Sequence, residues 1–395
     1  MSAGPTYVTD GEIKPFDERD TVFSREALVE GSPNEVAYHS LHPENIEIDR
    51  KLARFITLKM EPGGSDDLLA DAIYEAHFKS SAALALPDMV DGEPALEKAD
   101  WSPAEAAAKV KAFARAIGAD DVRIGPLKQE WVYSHRGSRP FFEGGYTNAP
   151  YFSGIPEGYQ GAKYGGPIEL KHSGAISMAF DQKKELVGTG STRAVDFEVG
   201  RVYAKSVLVS VQLARFIRAL GYPARAHHLR NYLIMLVPVA VDSGIGELGR
   251  CGYLVSRQSG ANFRLAAVTT DLPLEFDDPV DIGMQDFCDK CKKCAVTCPS
   301  GAIPLEKTLV NGSWRWKLNP EACLQYWGHT GYTCGICQAV CPWTKPKNIF
   351  HRTIASAAVN LPWIRRALVK GDDIVYGAGF SPLPVPRWLE DEQKS

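Results

Sequence analysis

The first 250 residues of this 395-residue chain contain no cysteine. A disulfide scaffold would spread its cysteines through the fold, so that class is excluded for most of the chain. No run of about 18 to 20 apolar residues occurs, which gives no candidate membrane-spanning helix. The amino terminus, MSAGPTYVTDGEIKPFDERD, has no basic n-region, no apolar h-region and no twin arginine; the chain as it stands reads as unexported and cytoplasmic. Charge of one sign is not in excess either. A net charge of -4 carries no general electrostatic footprint for nucleic acid or membrane. There is no P-loop, no low-complexity tract and no internal repeat apart from a pair of cysteine motifs. What remains is an ordinary globular composition, 45% hydrophobic and 23% charged. The length suffices for one large domain with a smaller one, or for two medium domains.

The cysteines that are present are concentrated. Of nine, eight fall between Cys288 and Cys341. The first motif is Cys288-x2-Cys291-x2-Cys294-x3-Cys298-Pro299. The second is Cys334-x2-Cys337-x3-Cys341-Pro342, with Cys323 eleven residues before Cys334. Such spacing lets three thiolates from one loop cap one face of a [4Fe–4S] cube, while the fourth, on the following turn, reaches the other cluster. Cys288, Cys291, Cys294 and Cys341 would then hold one cluster, and Cys323, Cys334, Cys337 and Cys298 the other. One or two structural zinc sites are the competing reading, but zinc ribbons present paired CxxC knuckles, and two sets of four that each end in Cys-Pro fit them poorly. The ninth thiol, Cys251, reads as a small buried hydrophobe. Two cubes imply one-electron transfer, often at low potential, without saying what is reduced.

Along the chain, residues 1–100 form an N-terminal region that wraps over a larger core, with a helix over Asp66 to Phe78. Ser102, Pro103 and Glu105 start a helix through Val110, Phe113, Ala114 and Ile117, which Gly118 ends. Residues 141–167 are rich in glycine, proline and aromatics, and read either as a lid or binding loop or as a surface insertion. A long helix runs from about Phe197 to Leu220, with a stripe of Val199, Val202, Tyr203, Leu213, Phe216, Ile217 and Leu220. A further helical segment is predicted near 231–243. CGYLVS (251–256) and RLAAVTTDL (264–272) read as strands. GIGELG (244–249) matches a dinucleotide fingerprint by letter, but a strand follows it where a helix should begin, so it reads as a turn. Mixed helices and strands give an α+β (α/β) fold.

In order and spacing, several segments resemble the reductive dehalogenase family over roughly 105–350. They are EWVYS (130–134), YAKSVLVSVQLARFIRALGY (203–222), GELGRCGYLVSRQSGANFRLAAVTTDLPL (246–274), FCDKCKKCAVTCPSGAI (287–303) and CLQYWGHTGYTCGICQAVCPWTK (323–345). The resemblance implies a nitroreductase-like core that binds a corrinoid of the cobalamin type. The domains would be 1–100 wrapping region, 101–280 corrinoid-binding core, 281–350 ferredoxin-like segment with two [4Fe–4S] clusters, and 351–395 a tail packing on the core. No D-x-H-x-x-G is present for a histidine lower ligand, in keeping with the base-off corrinoid of that family.

The same resemblance assigns Tyr203 as proton donor, Arg264 as its basic partner, Asn231 as a pocket residue and Trp327, in the CLxYW motif, as a pocket wall. In the implied reaction, R–X + 2e⁻ + H⁺ → R–H + X⁻, the carbon that loses its halogen needs a proton. A tyrosine can give one, although its ordinary pKa is about 10. A nearby guanidinium favours the phenolate and makes the phenol a better acid. It could also hold a phenolate substrate, and aromatic walls would keep the pocket dry. By residue type alone, Tyr203 could be core, Arg264 a surface charge, Asn231 a helix cap and Trp327 packing around a cluster. The adjacent His227 and His228 are poor partners for one metal ion.

Three functions compete. The first is dehalogenation of an organohalide, such as a halogenated phenol or other aryl halide. The second is the tRNA-modifying epoxyqueuosine reductase, which also uses cobalamin and resembles this chain around GICQAVCPW. Its members usually carry an aspartate donor and a helical-repeat tail, whereas the tail after 345 here is short and the tyrosine–arginine pair is present. The third is a non-catalytic electron carrier, which the size of the core argues against. The chain lacks both an export signal and a fused flavin reductase domain, so an external low-potential donor such as ferredoxin or flavodoxin is expected, with no nucleic-acid partner and no membrane span.

Overall fold

The stretch GAISMAFD places Ile176, Met178 and Phe180 on one side and Ala175 and Ala179 on the other. FRLAAVTT likewise separates Ala266 and Val268 from Leu265 and Ala267. In the computed structural model, which describes residues 6–56, 68–137, 164–229 and 231–390, these two stretches are the central strands of a sheet. The elements around it are α1 (Pro103–Ala116), β1 (Asp121–Pro126), β2 (Gly174–Asp181), α2 (Arg193–Ala219), β3 (Ala224–His227), α3 (Leu236–Asp242) and β4 (Phe263–Thr270). Strand order is β1-β2-β4-β3, antiparallel throughout, with Phe180 opposite Arg264 and Ala226 opposite Val268.

One face carries the large side chains, and α1 and α2 cover it. Ala106, Val110 and Ala114 of α1, with Val202, Val209, Leu213 and Ile217 of α2, join Ile176, Met178 and Phe180 in one buried cluster. Each fully buried aliphatic side chain of this kind contributes about 1.5–3 kcal/mol. The other face is lined by alanines, which let α3 approach closely through Val239, Ala240 and Val241. The predicted start of α1 is present: the Ser102 Oγ accepts from the Glu105 N–H at 3.3 Å, Pro103 opens the helix, and Gly118 just beyond its end has φ +123°.

Three predicted elements differ. The long helix begins at Arg193 rather than Phe197, and the Arg193 guanidinium donates to the Leu389 carbonyl at 3.0 Å. The segment 231–243 is helical only from Leu236, because His228 and Asn231 exchange backbone hydrogen bonds of 3.0 and 2.9 Å in a tight bridge. Pro238 then falls in the first helical turn, where its missing N–H costs nothing. CGYLVS is a strand only at Leu254–Val255, paired with Glu247–Leu248 around a turn in which Gly252 has φ +78°. As expected, no helix follows GIGELG. The predicted helix over 66–78 appears as Leu68–Tyr74 with a π-helical extension, Glu75–Lys79. Most of the glycine-rich stretch at 141–167 lies outside the described residues.

The cysteine segment is a set of short helices, Met284–Cys291, Lys293–Val296, Pro320–Thr330 and Ile336–Ala339. The N-terminal region grips it: Arg25 pairs with Asp49 at 2.7 Å and with Glu321 at 2.5 Å. Tyr7 reaches the core instead, donating to the buried Asp242, which also accepts from the Trp131 indole at 2.6 Å. Beyond residue 345, helices Ile349–Asn360 and Arg365–Tyr376 seat Ala358 and Val369 on Phe287, and Leu389 packs with Leu186 and Ala194. Among the described residues, no helix is long and apolar enough to cross a membrane.

Candidate active site and thiol cradle

Arg264 has the parity of Ala266 and Val268, so it leaves β4 on the face that α2 covers. There it meets Tyr203, one position after Val202 on the buried stripe of α2. The guanidinium carbon lies 5.5 Å from the centre of the Tyr203 ring and 5.4 Å from that of Tyr253. Burial raises the Tyr253 pKa, although the positive charge of Arg264 opposes this. Burial also works against the charge on Arg264, but the neighbouring Tyr203 and Tyr253 outweigh it and its pKa is raised. The guanidinium therefore stays charged. Its buried Nε has no hydrogen-bond partner among the described residues. Tyr253 had no place in the sequence reading. Its only signal was its position in the matched segment GELGRCGYLVS, where nothing local distinguishes it from a strand aromatic.

Asn231 is buried, and both ends of its amide are engaged. Its Oδ1 accepts from Arg225 at 2.7 Å, and its Nδ2 donates to the Ala85 carbonyl at 2.8 Å. It does not cap α3, whose N-cap is Met235. His227 is likewise engaged: the Leu233 N–H donates to its Nδ1 at 3.1 Å, which leaves Nε2–H for the Thr269 hydroxyl at 2.9 Å. Complete burial, together with the nearby Arg225, holds its pKa well below the ordinary histidine value.

Four thiols, Cys298, Cys323, Cys334 and Cys337, line one cavity of about 250 Å³. Cys298 comes from the first motif and the other three from the second. The remaining thiols are grouped by their electrostatic neighbours: Cys294 is influenced by Cys341 and Cys288, and Cys341 by Cys288 and Cys291. Burial pushes Cys288 and Cys323 up to about 12. Buried thiols that resist ionisation alone are suited to iron, whose charge offsets the cost of a buried thiolate. The cradle thus fits two clusters in the crossed pattern. Cys251 is buried, packs with Cys288, Cys294 and Cys341, and also lines the cavity, so it lies between the two sets.

Trp327 lines this cavity as well, packing on Val22, Leu52 and Leu324, with its ring 6.2 Å from that of Phe23. It shares this cavity with Tyr253 of the tyrosine–arginine site. Cys337 acts electrostatically on both Tyr253 and Arg264, which places its set of thiols on the side of that site. Asp196, seven residues before Tyr203 on α2, accepts from the N–H of Thr333, the residue before Cys334, at 2.9 Å. Burial raises its pKa to about 6. A larger cavity, about 980 Å³, lies away from these residues, between the helices at 349–376 and the turn at Ser256–Gln258.

The fold and the thiol cradle together define a mixed helix-and-sheet protein with an iron–sulfur segment, and residues 287–345 match the 4Fe-4S dicluster domain family. Its relatives narrow the class. A tetrachloroethene reductive dehalogenase of Desulfitobacterium hafniense (strain Y51) is 31% identical over 299 residues, which cover 69% of this chain and 54% of that protein. The chain thus spans about half the length of the curated relatives it matches. An epoxyqueuosine reductase of Cyclobacterium marinum is 33% identical over 158 residues, covering 35% of this chain and 47% of that protein. Among solved structures, the catabolic reductive dehalogenase NpRdhA in complex with 3-bromo-4-hydroxybenzoic acid matches 96% of this chain and 48% of its own, with a TM-score of 0.74 and 24% identity. That last likeness is one of fold. The chain is therefore similar to reductive dehalogenases, with a more distant similarity to epoxyqueuosine reductase.

Proposed function

We propose that this chain is a corrinoid-dependent reductive dehalogenase that replaces the halogen of an organohalide by hydrogen, with electrons relayed through two [4Fe–4S] clusters. The observation that carries the reading is the half-buried Arg264, whose guanidinium lies beside the rings of both Tyr203 and Tyr253 and is acted on by the charge of Cys337. Residues 101–280 would form the nitroreductase-like, corrinoid-binding core, and Tyr203 and Arg264 would face the bound corrinoid. When bound, a corrinoid supplies the two-electron reduction of the carbon–halogen bond.

The chain's own residues do the rest. Tyr203 gives its phenolic proton to the carbon that loses the halogen. Arg264 stabilises the phenolate left behind and takes a developing negative charge in a dry setting. Its unmet Nε–H suits the oxygen of a phenolate substrate, which favours halogenated phenols or other aryl halides. Trp327 is the aromatic wall on the cavity side. Asn231, a pocket residue by the resemblance, has its amide committed to Arg225 and the Ala85 carbonyl, so it would order the pocket rather than act on substrate. Cys288, Cys291, Cys294 and Cys341 hold one cluster, and Cys298, Cys323, Cys334 and Cys337 the other. A separate ferredoxin or flavodoxin in the cytoplasm supplies electrons.

The test is halide release under strict anoxia by the cobalamin-reconstituted protein with a viologen donor, on bromo- and chlorophenols and chlorinated alkenes. Cobalamin-dependent release of bromide or chloride is expected. No release from protein holding both clusters and corrinoid would favour a tRNA substrate, tested next with epoxyqueuosine-containing stem loops.

A further inference from the structure

The segment GELGR (246–250) carries an arginine that the proposed reaction does not use. In the structure its arginine is buried beside the cysteines. Arg250 is 1% exposed, and its backbone N–H points at the Cys288 Sγ at 3.5 Å. Its guanidinium donates to the Cys288 carbonyl through Nε at 3.2 Å and Nη2 at 2.9 Å. Nη1 donates to the Pro304 carbonyl at 3.0 Å and also to that of Leu305. The Trp316 ring lies 4.6 Å from the guanidinium carbon. The facing carboxylate, Asp289, is 3.7 Å away and 58% exposed, so solvent weakens its neutralising effect. Neutral carbonyls, not anions, thus hold a permanent cation against a cysteine of the first motif.

We infer that the turn Gly249–Gly252 is a redox-tuning element, in which Arg250 raises the reduction potential of the cluster held by Cys288, Cys291, Cys294 and Cys341. The inference rests on the ligand sets of the proposed function. Reduction adds negative charge to a buried cluster. A buried cation and an N–H aimed at a ligand sulfur both stabilise that added charge, and both lie against a ligand of the Cys288 set, so that cluster feels them most. The turn supports this geometry. The Gly249 N–H donates to the Tyr253 carbonyl at 2.9 Å, and Gly252 takes φ +78°, which together close the hairpin over Cys288. The next residue, Cys251, packs in one cluster with Cys288 and Cys294, two ligands of the same set. An uphill or downhill step between the two clusters would then be set by a residue outside both cysteine motifs.

The experiment is an EPR-monitored redox titration of the full chain with its clusters, without substrate. The Cys288 set is identified as the signal perturbed in Cys291→Ser. In Arg250→Gln the midpoint of that cluster shifts to lower potential and the other stays put, while Arg250→Lys, which keeps the charge, recovers part of the shift. Cys251→Ala, a small change that preserves the turn, shifts the same cluster by less, and it decides the matter with Arg250→Lys if Arg250→Gln does not assemble. Unchanged midpoints in these variants, or equal shifts of both clusters, would overturn the inference. Missing [4Fe–4S] signals in the parent protein would instead sink the ligand assignment, and absent halide release with normal midpoints would sink only the dehalogenase reading.

Discussion

The Arg264 guanidinium carbon lies 5.5 Å from the centre of the Tyr203 ring, although the two residues are carried by different elements, a strand and the long helix packed on it. Such a pair couples a proton donor to a fixed positive charge. Tyr203→Phe should therefore lose halide release by at least about 100-fold, within the range for general acid catalysis. Iron content and corrinoid binding should match the parent protein. A variant that retained full rate would show that another group delivers the proton.

Tyr253 is the second phenol on Arg264, with its ring 5.4 Å from the guanidinium carbon. Tyr253→Phe keeps the ring and deletes the hydroxyl on which the Arg264 charge acts. Loss of a polar partner of a charged group costs up to about 1.5–3 kcal/mol, so halide release should fall by about 10-fold or more. Steady-state kinetics on one bromophenol would measure it, and a rate equal to the parent's would remove Tyr253 from the site.

Cys298 lines the cavity of the second motif's thiols although it belongs to the first motif in sequence. Cys298→Ala should therefore perturb the EPR signal of the cluster bound by Cys323, Cys334 and Cys337, leaving the other intact. Chelating all iron under oxidising conditions should lower the melting temperature, because ligands that bind only the folded state stabilise it. Perturbation of the Cys288 signal instead would mean that each motif holds its own cluster.

Asn231→Ala removes one partner of Arg225, which keeps its pairing with Asp91, and the side-chain donor to the Ala85 carbonyl. Leaving buried polar groups unpaired costs about 1–3 kcal/mol each. Thermal unfolding should show a destabilisation of that order, with halide release per folded molecule little changed. Unchanged stability with a large loss of rate would point to direct contact with substrate.

His227 is neutral in the fold because burial depresses its pKa well below the ordinary value of 6.5. Below about pH 6.5 the unfolded chain binds a proton that the folded chain refuses, so this group's contribution to stability is present above that pH and lost as pH falls. The slope is at most about 1.4 kcal/mol per pH unit. His227→Gln can still accept from Leu233 and donate to Thr269. Compared by denaturant unfolding at pH 5 and pH 7.5, it should lose less stability on acidification than the parent; identical losses would argue against a buried neutral His227.

Much of this was legible because some local signals have a single physical solution. Ser102 and Pro103 start a helix wherever they precede an apolar stripe, and the alternation in GAISMAFD fits a half-buried strand. The helix expected near 231–243 is present but shorter, Leu236–Asp242, because the apolar residues before it suit a helix as well as a turn. The turn that shortens it is set by the backbone exchange between His228 and Asn231, with the Asn231 amide anchored to nearby Arg225 and to Ala85, which is distant in the chain. Tyr253 was missed for a related reason: a tyrosine near a strand carries no mark of the arginine it will meet.

The sequence by itself determined the chemistry that spacing can encode. Eight thiols at those intervals specify what kind of cofactor can be held, because a cube demands several thiolates from one short loop. Strand parity likewise determined that Arg264 would share a face with Ala266 and Val268. Only the tertiary structure decided which groups meet. It placed Arg264 beside both Tyr203 and Tyr253, brought Cys298 into the cavity of the second motif, and set the Arg250 cation against Cys288. These juxtapositions join residues 11 to 61 positions apart or come from the crossing of the two motifs, and they depend on how helices and strands pack. Local sequence fixes an element's type and its buried face, whereas the neighbour on that face is chosen by the whole core.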